Sequence, residues 1–346
     1  MRTLAWFFVL LLVTSTAAFA QQQPPVVSSI TPSSGPAAGG TVVTVKGSGF
    51  AACPICSPPF LPTVFFGSVA AKTTLVDAET LQAVTPAHPP QTVTVIVNQF
   101  NGRVTVPNAF TYTGDINDAF EPILLPVFSP PIHGAFGSEF QTLATAANRV
   151  GIEPIFVFGV DQSCFAPPPL GPLPFGDFVI VDANDFSAGL TTCSSGPGRL
   201  LYVDKAHASA VTFNLRVRDL SRNAESHGTE IPIVRRSDFT TERISLLNVP
   251  IEDGFRNTLR IYALAPTSAV VTVLGQRQTI ALQPGANAFE PAFAQFSNFP
   301  TPAEAGFFGD IRVDVEQPFG AVGVPIWAFI TVTNNQTQEI TTITPD

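Results

Sequence analysis

The sequence predicts an all-β protein built as tandem β-sandwiches. Three observations carry that expectation. Val, Ile, Thr and Phe are abundant, with thirty Phe beside three Tyr and two Trp, and such β-branched and aromatic residues suit pleated, half-buried surfaces. Thirty-three Pro and twenty-five Gly are spread along the chain, as turn residues are between short strands. Apolar and polar residues alternate over runs such as TVTVIVN at 92–98, whereas helical i, i+3, i+4 spacing is almost absent beyond residue 20.

The chain opens MRTLAWFFVLLLVTSTAAFA. A single cation, Arg2, precedes an apolar run from Leu4 to Val13, and small residues end in Ala18-Phe19-Ala20. This is the pattern of an export signal at residues 1–20, cleaved after Ala20. The apolar run is shorter than the roughly 20 residues a membrane-spanning helix needs, and no Cys follows the cleavage position to carry a lipid. No transmembrane segment is expected after cleavage. Removal of residues 1–20 takes away one cation and no acid, moving the net charge from −9 to −10. Nucleic acid is therefore excluded as a partner, because phosphates need a basic footprint. The remaining length suits two or three domains of roughly 100–150 residues.

Residues 26–113 form the first expected unit. Val42, Val43 and Val45 build a strand after the turn at Gly39-Gly40, and Val64, Phe65 and Phe66 build another closed by Gly67. Short strands separated by turns predict a sandwich of about seven strands. Several motifs recur here in a fixed order: Ile30-Thr31-Pro32, Ser34-Gly35-Pro36, Gly39-Gly40-Thr41, Gly47-Ser48-Gly49-Phe50, Phe66-Gly67, Thr85-Pro86-Ala87 and Ala109-Phe110-Thr111-Tyr112. In these residues the unit resembles the TIG (IPT) family of immunoglobulin-like domains. The resemblance implies an adhesive or spacer module and carries over no catalytic residue.

Residues 114–120 read as a linker. Beyond it, Thr142-Leu143 aligns with Thr258-Leu259, Gly159 with Gly275, and Ala210-Val211 with Ala321-Val322. The slowly drifting offset predicts two copies of one sandwich, at 121–236 and 237–346. The rival arrangement is a single large sandwich with similar halves. Both copies loosely resemble Ig-like modules of secreted bacterial proteins.

Cys53-Pro54-Ile55-Cys56 invites a redox, zinc or disulfide assignment. A redox pair needs a helix N-terminus to lower the thiol pKa, but Pro54, Pro58, Pro59 and Pro62 crowd this loop and oppose a helix. A zinc site needs about four ligands, and only His88 is near in sequence. A local disulfide is the expected outcome in an exported chain. Cys164 and Cys193 flank a long Pro-rich insertion and are expected to pair with each other.

Asp115-Ile116-Asn117-Asp118 and Asp182-Ala183-Asn184-Asp185 both spell D-x-N-D. Clustered oxygens of this kind suit Ca²⁺, so Asp115, Asn117, Asp118, Asp182, Asn184 and Asp185 are candidate calcium ligands, the only cofactor considered. The competing assignment is an Asx-rich turn. No G-x-S-x-G elbow accompanies His133, His207 and His227, and no catalytic residues are assigned. Paired glycosidase carboxylates are not readable from sequence, because they meet only in the fold.

Several Phe fall in loops, and "FAQFSNFPTPAEAGFFGD" offers Phe296, Phe299, Phe307 and Phe308 as a candidate partner patch. The combined expectation is a non-catalytic binding, adhesion or spacer protein, secreted to the extracellular space, the cell surface or the periplasm. Its ligand would be a protein or glycan at the cell surface. The alternative is an accessory or catalytic component of a polysaccharide-acting enzyme.

Overall fold

The computed structural model describes residues 24–53, 55–57, 59–127, 131–149, 155–158, 170–173, 178–182, 198–222, 227–286, 289–320 and 323–345. The expected export signal, Cys164, Cys193, Asn184 and Asp185 lie outside them. The chain divides into two compact units. The first comprises the described residues up to Ser33 with Thr41–Thr85 and Thr92–Thr111; the second comprises Ser34–Gly40, Pro86–Gln91 and the chain from Tyr112 onward.

The early strands are β1 (Val26–Thr31), β2 (Ser34–Pro36), β3 (Val42–Ser48), β4 (Thr63–Phe66), β5 (Val69–Ala70), β6 (Lys72–Asp77), β7 (Thr80–Val84), β8 (Thr92–Gln99) and β9 (Gly102–Thr113). The first unit holds two antiparallel sheets, ordered β1-β3-β7-β6 and β9-β8-β4-β5. Alternation does what it predicts. Val43 and Val45 are wholly buried while Val42 is exposed, and Val93, Val95 and Val97 line the core side of β8. Phe66 meets Phe110 edge-on with ring centres 5.0 Å apart. Gly47 is needed for steric reasons, since a Cβ there would fall inside the Val26 carbonyl.

Segments 34–40, 86–91 and 112–113 group with the second unit. His88 gives the physical reason. It is 1 % exposed, stacks on Tyr112 at 4.9 Å and lies 5.1 Å from the ring of Phe158, which meets Phe120 edge-on. Its Nδ1 is 2.9 Å from the Pro89 carbonyl. Burial lowers the His88 pKa below its ordinary 6.5. The unfolded chain then takes up the proton before the folded one, so this contribution to stability is complete above about 6.5 and is lost as pH falls toward the lowered folded value. The urea midpoint is expected to drop with pH in that window, and His88→Gln to remove that part of the slope.

The second unit continues through α1 (Ile116–Ala119) and ten strands: β10 (Phe120–Leu125), β11 (Ile132–His133), β12 (Glu139–Asn148), β13 (Ile155–Phe158), β14 (Leu170–Leu173), β15 (Phe178–Asp182), β16 (Arg199–Asp204), β17 (Val211–Asp219), β18 (Thr229–Ile231) and β19 (Val234–Arg235). These form one sheet ordered β14-β13-β16-β10-β19 and another ordered β11-β12-β17-β18, with β15 also on β12. The chain ends with β20 (Ile244–Pro250), β21 (Phe255–Ala263), β22 (Thr267–Val273), β23 (Gln276–Leu282), β24 (Ala292–Phe296), α2 (Pro302–Ala305), β25 (Asp310–Glu316), β26 (Ile326–Asn334) and β27 (Ile340–Ile343). Their sheets run β20-β25-β22-β23 and β24-β21-β26-β27. Among the described residues, no sheet mixes strands from the two halves. Both halves nevertheless belong to one compact unit.

Strand β26 explains the shared packing. Ile326, Ala328, Ile330 and Val332 enter the core of the last sandwich. Trp327 and Phe329, on the opposite face, are also buried. Trp327 stands opposite Tyr262 on β21, and Tyr262 is wholly buried. The Tyr262 hydroxyl donates to the Pro126 carbonyl in the preceding half. Nearby, Tyr202 meets Phe289 edge-on at 5.8 Å, the Leu200 N–H donates to the Phe289 carbonyl at 2.8 Å, and Arg199 pairs with Glu290 at 3.0 Å. The outer face of this sheet is therefore a second core, closed by the other half.

Candidate binding groove

The β22–β23 hairpin turns on two residues, Leu274 and Gly275, between the paired Val273 and Gln276. Both take positive φ, 47° and 79°, as a two-residue turn matched to strand twist requires. Across from it, β24 runs into Ser297–Pro300 and then α2. The sequence TPAEAG specifies that short helix. Thr301 caps it, Glu304 returns a bond to the Thr301 N–H, Pro302 opens it, and Gly306 closes it at φ 78°.

Gln283 and Phe293 form a bridge that joins β23 to β24 at one end. Toward Gln276 the edges part and leave a groove of about 560 Å³, lined by Val271, Val273, Gln276, Gln278, Phe296 and Phe299, with Arg277 and Glu304 also on its wall. Ile280 and Leu282 face the core from β23. Gln276 and Gln278 have the same parity, so polar amides occupy positions where a closed sandwich would carry apolar side chains. Sequence reasoning missed these residues. The signal was present as a break in alternation within QRQTIAL.

The sequence-derived patch divides. Phe296 is 8 % exposed, because Ala292, Ala294 and Phe296 share the inward parity of β24. It therefore leaves the exposed patch as a core residue. Phe299 packs against that core and meets Phe296 edge-on at 5.3 Å. Phe307 and Phe308, after α2, are 42 % and 82 % exposed. Leu274, at the turn, is also exposed.

Cys53 and Cys56 are joined in a disulfide with Cα atoms 5.4 Å apart. Cys53 also bridges Phe60 through two backbone hydrogen bonds, of 2.8 and 3.0 Å, and Ile55 stands out at the loop tip. Asp115 caps α1: its Oδ1 accepts from the Asn117 N–H at 2.8 Å and from Asn117 Nδ2 at 2.9 Å. The backbone N–H of Asn117, helped by its side chain, holds the Asp115 carboxyl below the usual range. This is Asx-turn geometry. Asp182 ends β15 opposite Leu143. Among the described residues no group of three or more His, Cys, Asp or Glu is placed to hold a metal. Because the Asp115 oxygen is already engaged, equal melting temperatures are expected in calcium and in EDTA; a rise of several degrees with calcium would restore the cation assignment.

A second concavity, of about 690 Å³, is bordered by Trp327, Asp238, Glu242 and Arg243. Asp238 Oδ2 there accepts the Arg235 N–H at 2.7 Å, closing a capping turn. His133 lies on β11, and His207 sits 3.4 Å from Asp204 Oδ2 in an exposed turn.

Residues 25–112 match the model of the IPT/TIG domain family. No curated protein matches the chain. Among solved structures, a protein of unknown function from Bacteroides thetaiotaomicron shares 12 % identity over 92 % of this chain and 60 % of its own, with a TM-score of 0.23. SGBP-B from a complex xyloglucan utilization locus in Bacteroides uniformis shares 10 % over 93 % of this chain and 73 % of its own, at 0.21. InvD of Yersinia pseudotuberculosis shares 9 % over 92 % and 97 %, at 0.17. Among the described residues no helix is long and apolar enough to cross a membrane.

Proposed function

Residues 25–112 being an IPT/TIG domain, we propose that the chain is an exported, non-catalytic binding or spacer protein acting at the cell surface or outside the cell. The observation that carries this reading is the groove beside β23, walled by Phe296, Phe299 and the α2 residues Glu304 and Ala305; exposed Phe307 and Phe308 follow α2 in the chain. Clefts of this size accept side chains or small ligands. The ligand would be a protein or a glycan. Its binding would leave the ligand chemically unchanged.

The second reading, a polysaccharide-acting component, is favoured by the concavity that brings Trp327 together with Asp238 and Glu242. Two features weaken it. Trp327 is only 5 % exposed, too little for a sugar to stack on it, and the Asp238 carboxylate is engaged in a cap. The two readings separate experimentally. The chain without residues 1–20 would be screened on glycan and protein arrays, then incubated with each polysaccharide it retains. Retention without release of reducing ends is expected. Hydrolysis abolished by Glu242→Gln would overturn the non-catalytic reading. Recovery of a secreted species beginning at Gln21 tests export.

A further inference from the structure

We propose that β23 is a docking edge for an extended, acidic peptide strand of a partner protein, which adds to the sheet and sets an apolar side chain into the adjoining groove. The inference rests on the binding reading above and names its partner class. It starts from how the sheets end. A strand edge presents unpaired N–H and C=O groups, and proteins blunt such edges with brevity, bulges, proline or charge. Here β1, β6 and β20 carry register shifts. Edge strands β2, β5, β11, β18 and β19 have two or three residues, and β14, β15, β24 and β27 have four or five. In contrast, β23 pairs with β22 through seven consecutive residues without a shift, and QRQTIAL contains no proline. Among the described edges it is the long one left regular.

The groove lies where a strand added to that edge would put its alternate side chains. The Gln283–Phe293 bridge closes one end, so an incoming strand lies along Gln276–Ile280. One set of its side chains then meets Phe299 and Val273, while the Gln276 and Gln278 amides meet its polar groups. The other set faces Arg277 and Thr279. Charge decides the partner's sign. Glu316 is shared by Arg243 at 3.1 Å and Arg277 at 2.7 Å, and Asp314 is paired with Arg312. Arg277 is the one charged residue of β23 and keeps 60 % of its side-chain surface open. Opposite charges across a strand pair stabilise it and like charges oppose it, which selects a strand bearing Asp or Glu opposite Arg277.

The test pans phage-displayed random linear peptides against the chain without residues 1–20. The expected winners lack proline, alternate apolar and polar residues, and carry an acid. Bound peptide should slow hydrogen exchange at Gln276–Leu282. N-methylation of alternate peptide nitrogens should weaken binding about tenfold or more, the loss of one or two backbone hydrogen bonds. Gln278→Glu, a like charge at an exposed position, should do the same without moving the melting temperature. Should that variant fold poorly, Arg277→Glu should switch the selected peptides from acidic to basic. No enrichment, protection confined to other segments, indifference to N-methylation, or a dimer of the chain that itself covers Gln276–Leu282 would each overturn the proposal. None of these outcomes bears on catalysis, so the non-catalytic reading stands or falls separately.

Discussion

Tyr262→Ala is expected to destabilise the second unit by about 3–5 kcal/mol, the range for removing a large buried aromatic. The side chain is wholly buried although it points away from the core of its own sandwich. Its ring centre lies 5.2 Å from Phe293, 6.1 Å from Trp327 and 6.4 Å from Phe329. Burial raises the pKa of its phenol well above the usual value, which keeps the hydroxyl a donor to Pro126 at neutral pH. Tyr262→Phe isolates that hydrogen bond and should cost roughly 1–2 kcal/mol, because the Pro126 carbonyl is left without it. Urea denaturation followed by Trp327 fluorescence checks both, and residues 120–235 should lose stability together with residues 244–343. Two separate transitions, with only the later one displaced, would show that the halves fold independently.

Glu290→Ala is the second large effect, at about 3 kcal/mol. Glu290 and Arg199 keep 6 % and 15 % of their side-chain surface, and Glu290 also accepts the Ala286 N–H at 2.9 Å. Removing the acid strands a mostly buried guanidinium, which is far more damaging than removing both charges. The Arg199→Met, Glu290→Met double variant should therefore recover much of the loss. A double variant no better than Glu290→Ala would mean that lost packing, and not an unpaired charge, causes the effect. The same urea titration decides it.

Local patterns account for what was readable beforehand. Thr92–Gln99 alternates so regularly that its buried face was legible, and the Gly and Pro motifs of residues 26–113 mark an IPT/TIG domain because its turns demand those residues. The CPIC loop was readable as well, since its prolines left few alternatives to the disulfide that is present. The patch over 293–310 was read less well. Phe residues among turn-forming neighbours suggest exposure, yet Phe296 obeys the parity of β24 and is buried. The Gln276–Gln278 lining was overlooked because two glutamines resemble an ordinary solvent face until the strand opposite is known.

Order along the chain is enough to specify tandem β-sandwiches, the IPT/TIG domain read at 26–113 and the strands on which apolar side chains alternate. These are properties of neighbours along the chain, and period two expresses them directly. Packing adds that the outer face of β21 and β26 is a second core, that His88 groups with Tyr112 and Phe158, and that β23 ends its sheet beside an open groove. Each depends on which segment, distant in sequence, covers a given face or edge. A strand such as IWAFITVTN declares that it is apolar on both sides; what lies against those sides is settled only when the halves pack.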